Sequence, residues 1–502
     1  MITWPSLDTW SDKIGALLTY DASSPLIFSS GLFLFLFTGF LFIYGFLRRA
    51  TQARIFYVLL FSLYFYYKSS GIYFLLLVFA AISDYWIAKG IFRTENRCCK
   101  RWLVALSVVI NLGMLGYFKY TNFLIGLSGS LFGVDFLQFQ HIFLPVGISF
   151  FVFQSMSYTI DIYRGELKPL DRWSDYLFYL SFFPQLVAGP IVRARDFIPQ
   201  IRQNPLVVTR EMFGMGVCLI LTGLFKKAII SDYISLNFVD RIFDEPLLYS
   251  GFECLMGIYG YALQIYCDFS GYSDMAIGIA LLLGFRFPKN FDAPYKSATI
   301  TEFWHRWHIS LSTWLRDYLY ISLGGNRKGS IRTYINLFIT MLLGGLWHGA
   351  AIRFILWGAL HGVALALHKM WLHIIPNAKA VGAEMAWGWR LLGIFFTFHL
   401  VCLGWLVFRA DSMQTVSLMC YQIFHAFDAH LIPQVITGYA GVFTLILLGY
   451  LLHLLPSSVD LLFQRIVKGA PFAAQILLTA VMIWCVMQIK SSEIQPFIYF
   501  QF

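Results

Sequence analysis

The stretch Glu302-Phe-Trp-His-Arg-Trp-His308 opens residues 302–361, the part of this apolar chain with the densest polar and aromatic side chains. It runs through a basic turn, Gly324-Gly-Asn-Arg-Lys-Gly329, into an apolar segment that ends Gly344-Gly-Leu-Trp-His348. An ionisable side chain at membrane depth is costly and marks a candidate functional site. One such histidine is as often a packed, hydrogen-bonded core residue. Two histidines that bracket one basic loop favour function, so His308 and His348 are the candidate catalytic residues.

The composition predicts an all-α polytopic membrane protein. Hydrophobic residues make up 58% of the 502 residues, charged residues 13%, and the mean hydropathy is +0.66. A soluble domain could not bury this much apolar surface, so lipid must cover part of it. We expect about eleven transmembrane helices, with re-entrant and interfacial helices, in a single domain over 1–502 and a catalytic core over about 176–373.

The net charge of +10 lies mostly in short segments between apolar runs. This is the pattern of loops that face the cytoplasm, and it argues against nucleic-acid binding. The loops at 48–54, 89–101 and 286–297 are basic and predict one common side. The acidic N-terminus has no signal-peptide pattern, so the first span, roughly 26–47, is expected to stay in the protein. Arg48, Arg49 and Arg54 follow that span, and this basic flank on its C-terminal side predicts that the N-terminus lies outside.

Interruptions in the apolar runs predict where the helices depart from simple spans. Apolar runs at 55–67 and 72–88 predict a helical hairpin, and 121–133 is too short to span and predicts a re-entrant or interfacial segment. The run 176–195 is broken by Pro184, Gly189 and Pro190. Such breaks are tolerated in a bilayer where protein or a water-filled cavity covers the backbone, although a kinked helix is the plainer alternative.

The residues around His308 repeat with helical spacing. The large side chains fall three or four residues apart and predict one amphipathic helix, capped by Thr299 or Thr301, whose buried face carries Trp304, Trp307, His308, Leu311, Trp314, Leu315 and Tyr318. Tryptophans in such a stripe are more often core or membrane anchors than ligand contacts.

Other polar residues in apolar runs have plainer interpretations. Asp268 and Asp274 are six residues apart, which does not place them on one helix face, so we assign them to structural hydrogen bonds. His399 and His453 are assigned to packing. The eight cysteines show no CxxC spacing and predict neither a disulfide framework nor a metal site.

Four segments resemble the membrane-bound O-acyltransferases. They are FFPQLVAGPIVR (182–193), CDFSGYSDMAIGIALLLGFRFPKNFDAPY (267–295), FWHRWHISLSTWLRDYLYISLGGNRKG (303–329) and LLGGLWHGA (342–350), and the chain ends in PFIYFQF. They are most similar to the alginate O-acetyltransferase branch, which modifies exported polysaccharides. The resemblance implies helices around a central tunnel that contains His348, with His308 near its cytoplasmic side.

The chemistry expected of the histidines is acyl transfer. An alcohol needs a base near neutral pH before it attacks a thioester, and a neutral imidazole in an apolar surround meets that need. We assign His348 as the base, and His308 to binding or polarising the thioester or to relaying a proton. The expected substrate and donor contacts are Trp304, Trp307, Ser310, Arg316, Asp317, Arg327, Lys328 and Trp347. Metal binding is disfavoured, because His305 and His308 have no further ligands near them, and no GxSxG motif supports a serine acyl-enzyme.

The resemblance also implies the reaction partners. The donor is cytosolic acetyl-CoA or an acyl carrier thioester, no cofactor is bound tightly, and an SGNH-hydrolase-like acetyltransferase outside the cytoplasm receives the group. The protein is expected in the bacterial cytoplasmic (inner) membrane, in contact with lipid. The alternatives are D-alanyl transfer from a carrier protein to teichoic acid and, in another class, a transporter, which the absence of matching halves disfavours.

Overall fold

The computed structural model describes residues 15, 17–22, 25–133, 140–375 and 386–489. These residues form helices joined by turns, with no strand in the described ranges, which confirms the all-α prediction. The acidic residues before 15 and the terminal PFIYFQF lie outside the described residues. The chain divides into two compact units, Met1–Ala188 with Val192–Val207, and Gly189–Ile191 with Val208–Phe502. The single domain and the bounds of the catalytic core stay predictions.

Five of the described helices are long and apolar enough to cross a membrane: Thr51–Arg93, Arg97–Phe132, Arg210–Asp244, Ile352–Ile374 and Trp387–Arg409. Two bent helix pairs, in the ranges 429–454 and 457–486, bring the number to seven if each is one span. A multi-pass membrane protein is therefore confirmed, but the predicted count of eleven is not.

The first unit contains nine helices within the described residues: α1 Gly31–Phe46, α2 Thr51–Ser70, α3 Phe74–Arg93, α4 Arg97–Leu115, α5 Thr121–Phe132, α6 Ile148–Arg164, α7 Trp173–Ser181, α8 Phe183–Leu186 and α9 Ala194–Ile201. Helices α2 and α3 cover the predicted apolar runs 55–67 and 72–88. They follow one another in the continuous helical stretch Thr51–Arg93, so the predicted helical hairpin is not confirmed. The prediction of a separate re-entrant segment at 121–133 is wrong. A π-helical turn at Gly116–Tyr120 joins α4 to α5, so the helix continues through a stretch that has no proline to stop it.

A buried carboxylate connects three helices of this unit. Asp84 of α3 accepts hydrogen bonds from Ser107 Oγ at 2.7 Å, Asn111 Nδ2 at 2.6 Å and Ser155 Oγ at 2.5 Å. These donors come from α4 and α6. Burying a carboxylate is costly unless its oxygens are hydrogen-bonded, so these bonds stabilise the packing of α3 against both helices.

The interrupted segment 176–195 is irregular, so the plainer alternative, a kinked helix, is wrong. Helix α7 ends at Ser181, α8 adds a single turn, and the backbone is non-helical from Val187 to Arg193. Every residue from 182 to 192 is buried. The freed peptide groups are thus covered by protein, the condition under which a membrane protein tolerates such breaks.

The second unit contains fourteen helices within the described residues: α10 Arg210–Leu224, α11 Asp232–Ile234, α12 Asp240–Asp244, α13 Gly251–Leu282, α14 Ile300–Arg306, α15 Ile309–Trp314, α16 Ser330–His348, α17 Ile352–Ile374, α18 Trp387–Arg409, α19 Met413–His425, α20 Ile432–Gly438, α21 Ala440–Leu454, α22 Ser457–Gly469 and α23 Phe472–Ile489. Helix α13 runs unbroken for 32 residues through Gly271, and a capping box between Ser250 and Glu253 fixes its start.

Asp268 and Asp274 pair with different lysines. Lys227 is buried and contacts both Asp268 and Asp232, the latter at 2.8 Å, while Lys226 bonds Asp274 at 2.7 Å. Both lysines lie in the π-helical segment after α10. The two carboxylates therefore fasten α13 to that segment, which agrees with the structural role predicted for them.

Candidate active site

The helix predicted over 304–318 is broken at His308, one of the two candidate catalytic residues. Helix α14 starts at the Thr299 cap, as predicted, but it ends at Arg306, and α15 starts at Ile309. Between them His308 adopts a left-handed conformation, φ 42° and ψ 55°. The side chains of the predicted stripe are nevertheless all buried. The burial pattern was therefore predicted correctly, and the single helix was wrong.

Asn290 causes this break. The backbone N–H groups of Ile309 and Ser310 donate to Asn290, to its carbonyl at 2.9 Å and to its Oδ1 at 3.2 Å, instead of to helix carbonyls. Ser310 Oγ also donates to Oδ1 at 2.9 Å, and Asn290 Nδ2 donates to Ser273 Oγ at 3.0 Å. A left-handed non-glycine residue costs about 1–3 kcal/mol, which these bonds offset.

Asn290 also selects the tautomer of His308. The Nδ1 atom of His308 lies 3.2 Å from Asn290 Oδ1. Because a backbone N–H donates to that oxygen, it is an acceptor, so Nδ1 carries the proton and Nε2 is the basic nitrogen of the ring. His308 lies outside the spanning helices, and burial lowers its pKa to about 3. The imidazole is thus neutral at physiological pH.

His348 is the last residue of α16 and is almost completely buried. Its ring packs edge-on against three aromatic rings, with centroid distances of 5.0 Å to Trp347, 5.0 Å to Trp357 and 5.4 Å to Phe408. An apolar surround of this kind disfavours the imidazolium form, which suits a base that must be neutral before it accepts a proton.

The two candidate histidines meet at one side chain. The Trp347 ring lies 6.3 Å from the His308 ring and 5.0 Å from the His348 ring, centroid to centroid. The structure therefore brings together two residues that are forty positions apart in the sequence. Trp347, predicted as a substrate contact, is the residue that connects them.

Glycines allow the backbone to approach closely beside His348. Gly345 of α16 packs against the Phe354 carbonyl and Gly358 of α17, and a methyl group at either glycine would collide with backbone. Gly349 lies against the Phe354 ring. Close contact of α16 and α17 fixes the position of His348.

Three of the predicted contacts are buried beside the histidines. Trp304 packs against Trp357 at 5.7 Å, and Trp307 stacks on Phe303 at 5.7 Å with the planes 13° apart. Ser310 Oγ, in addition to its bond to Asn290, accepts from the backbone N–H of Ile191 at 3.0 Å. All three hold the aromatic core and the loop around His308, and their contact with substrate stays a prediction.

The predicted donor contacts lie on the surface. Arg316 pairs with Asp317 at 2.7 Å, and Arg327 and Lys328 are exposed in the turn that precedes α16. A cleft of about 200 Å³ borders this turn and is lined by Asn326, Gly329, Ser330, Thr333, Tyr334, Lys369 and His373. Lys369 and His373 add basic groups to the same surface.

Sequence reasoning missed Asn290 and Trp357. Asn290 lies in the basic loop 286–297, where no local pattern shows its bonds to 308–310. Trp357 lies four residues before His361, so both fall on one face of α17. That spacing was the available signal for the aromatic cluster beside His348.

The remaining histidines and the cysteines have structural surroundings. His399 bonds the Phe395 carbonyl and the Tyr259 hydroxyl, and His453 Nε2 accepts from the Tyr295 backbone N–H at 3.1 Å, as expected of packing residues. All eight cysteines are free. Among the described residues, no three histidine, cysteine or carboxylate side chains group as metal ligands would.

Comparison with known proteins identifies the family. The model of the membrane-bound O-acyltransferase family matches residues 172–407, a range that contains both histidines. The probable alginate O-acetylase AlgI of Pseudomonas putida is 42% identical over 401 residues, which cover 78% of this chain and 79% of that protein. The chain belongs to the membrane-bound O-acyltransferase family.

Two further relatives of this O-acyltransferase act on different polymers by name. The peptidoglycan O-acetyltransferase of Helicobacter pylori is 36% identical over 420 residues, 78% of each chain. The teichoic acid D-alanyltransferase of Bacillus subtilis is 31% identical over 281 residues, 52% of this chain and 68% of that protein. The chain is thus an enzyme, an O-acyltransferase of the membrane, and the transporter alternative is not supported.

Proposed function

We propose that this O-acyltransferase takes an acetyl group from cytosolic acetyl-CoA and passes it across the membrane for O-acetylation of an exported cell-surface polysaccharide. The observation that carries the proposal is the contact of His308 and His348 with one indole ring, Trp347, in the matched part of the chain. Two relatives match about four fifths of the chain, a probable alginate O-acetylase and a peptidoglycan O-acetyltransferase, and their names favour acetyl as the transferred group.

His348 is the base in this reaction. Its imidazole takes the proton of the acceptor hydroxyl as the hydroxyl oxygen attacks the thioester carbonyl, and the proton then goes to the departing thiolate. The acceptor gains an ester, and coenzyme A leaves as the thiol. His308, neutral and fixed in one tautomer, offers Nε2 to the donor or to a proton in transit.

In this proposal the donor and the acceptor lie on opposite sides of the membrane. We place the enzyme in the bacterial cytoplasmic membrane with its N-terminus outside, and the donor on the side of the basic loops. The acceptor is a hydroxyl of the polymer or of an extracytoplasmic SGNH-like acetyltransferase that completes the transfer.

D-alanyl transfer is the second candidate, because the teichoic acid D-alanyltransferase matches 52% of the chain. In that case the donor is a thioester on the phosphopantetheine arm of a carrier protein. Purified enzyme that ignores acetyl-CoA and releases thiol only from a charged carrier would replace the proposed function with this one.

The direct test removes the base. His348→Ala should lower acetyl-CoA consumption about 10²–10⁴-fold, the usual contribution of a positioned base, while the protein still inserts and elutes as a single species. His399→Ala is the matched control and should keep activity. It also removes a histidine, but one whose ring bonds the Tyr259 hydroxyl and the Phe395 carbonyl. Normal acetylation of the polymer in cells carrying His348→Ala would contradict the assignment.

A second test concerns the donor face. Replacing Arg327 and Lys328 with glutamine should raise the KM for acetyl-CoA several-fold and leave kcat near normal, because cations at a solvated surface attract the donor phosphates without touching the reacting atoms. Arg97 and Arg101, also exposed cations, provide a matched double control. An unchanged KM would remove the turn from the donor contacts and leave it as an anchor to anionic lipid.

A further inference from the structure

A second polar group lies beside His348, inside an aromatic cluster formed by α14, α17 and α18. The Trp357 ring lies 5.0 Å from the His348 ring and 4.7 Å from the ring of His361, one turn further along α17. Trp304 of α14 packs edge-on against His361 at 5.3 Å. His361 is completely buried and Trp357 is 1% exposed.

The ring nitrogens of this cluster are unusual for buried polar atoms. Neither nitrogen of His361 and neither indole nitrogen, of Trp304 or of Trp357, makes a hydrogen bond with any residue that the structure describes. Buried polar groups in native proteins are nearly always bonded, since an unsatisfied donor costs about 1–3 kcal/mol. Three such residues in one cluster therefore indicate an acceptor that the described residues do not supply.

Two of these nitrogens, one of His361 and one of Trp357, lie close to the same glycine. At Gly404 of α18, a side-chain methyl group would lie 2.9 Å from His361 Nε2 and 3.4 Å from Trp357 Nε1. Glycine is needed there for space, because an alanine would fill the region that both nitrogens face. The same region is one indole ring away from His348.

We propose that Trp357 and His361 bind the carbonyl oxygen of the acyl donor and stabilise the oxyanion that forms on it. The proposal rests on the proposed function, with His348 as the base. An indole N–H is a donor only, and a neutral imidazole supplies one N–H, so the pair offers two donors to one acceptor oxygen. Donors fixed in a dry site stabilise developing charge far more than water does.

The step balances with these groups. The acceptor oxygen forms a bond to the carbonyl carbon while His348 takes its proton, and the C=O electron pair moves onto the oxygen held by Trp357 and His361. The tetrahedral intermediate collapses, the C–S bond breaks, and the coenzyme A thiolate takes the proton from His348. Trp357 and His361 stabilise the negative charge on the carbonyl oxygen and exchange no proton.

The experiment compares donor-deleting and donor-keeping variants of the full-length enzyme in detergent, assayed by thiol release from acetyl-CoA. Trp357→Phe and His361→Phe keep a ring and remove the N–H, so each should lower kcat about 10²–10³-fold with donor KM within about twofold. His361→Gln keeps a donor and should retain more kcat than His361→Phe. Gly404→Ala should lower kcat as the donor deletions do.

Two controls separate this role from packing. Trp405→Phe removes an indole N–H from the same aromatic region, but that N–H bonds Tyr295 at 3.2 Å, so the change should affect thermal stability and not kcat. Gly388→Ala adds a methyl group to the same helix as Gly404 with nothing within 4 Å. Folded Trp357→Phe and His361→Phe enzymes with wild-type kcat would overturn the proposal, as would equal kcat in His361→Gln and His361→Phe.

Failure of this inference is distinguishable from failure of the proposed function. If the unmodified enzyme does not consume acetyl-CoA, the proposed donor is wrong, and the variants are measured with the carrier-bound thioester that it does use. If some variants do not fold, Gly404→Ala, judged against Gly388→Ala, decides the question: wild-type kcat in folded Gly404→Ala overturns the oxyanion role.

Discussion

We expect Asn290→Ala to lower both the stability and the activity of the enzyme strongly, although it removes only a small side chain. The substitution removes the acceptor for three donors at the break between α14 and α15: the Ser310 N–H, His308 Nδ1–H and the Ser310 hydroxyl. The hydroxyl can rotate to another acceptor, so two donors are stranded. Each stranded donor costs about 1–3 kcal/mol, so we expect about 2–6 kcal/mol less stability. The left-handed backbone at His308 costs about 1–3 kcal/mol and then lacks the side-chain bonds that offset this cost, so the position of the imidazole beside Trp347 is no longer fixed.

The assay pairs thermal unfolding of detergent-purified protein with steady-state thiol release. Ser273→Ala is the matched control, because it removes only the acceptor of Asn290 Nδ2 and strands one donor, at a cost of about 1–3 kcal/mol. We expect Asn290→Ala to melt well below Ser273→Ala and to lose at least about tenfold in kcat, a positioning effect of the size that small misplacements cause. If Asn290→Ala melts with Ser273→Ala and keeps full kcat, the break is not held by Asn290 and the reasoning is refuted.

Three further predictions follow from other parts of the chain. Because the pKa of His308 is lowered to about 3, its ring stays neutral as the pH falls from 8 to 5; His308→Gln should therefore lower kcat/KM without moving the acid limb, and a displaced limb would show that His308 titrates. Lys227→Met should lose about 3–5 kcal/mol of stability by removing the cation that Asp268 and Asp232 share, and adding Asp268→Asn should restore part of it; no recovery in the melting temperature would contradict the ion-pair account. In intact cells without exposed native cysteines, an impermeant thiol reagent should label cysteine at Asp12 and spare cysteine at Thr94, and the reverse labelling would invert the predicted orientation.

Much of the fold class was accessible from the sequence, because lipid and water impose strong constraints on composition. A chain with 58% hydrophobic residues can only be a membrane protein, and the helical spacing of residues 304–318 correctly predicted which side chains are buried. The number of spans was not accessible in the same way. Hydropathy detects apolar runs, but it does not show whether two neighbouring runs form one helix or two. Helices α4 and α5, for example, form one continuous stretch because a π-helical turn joins them.

The candidate catalytic residues were also accessible, because ionisable side chains in apolar surroundings are rare and few functions justify them. His308 and His348 were selected on that ground and through the resemblance to the family. The sequence could not show that Trp347 touches both rings, since the contact joins positions forty residues apart.

The geometry of the site was decided only by the tertiary structure. Periodicity reports which face of a segment is buried, and it predicted one helix where there are two, because the bonds that end α14 come from Asn290, eighteen residues before His308. Likewise, only the structure shows that the ring nitrogens of Trp357 and His361 both lie close to Gly404, which is on another helix. Hydrogen bonds and close backbone approaches between distant segments leave no local pattern. The sequence therefore determined which residues are candidates for the chemistry, and packing determined their conformations and neighbours.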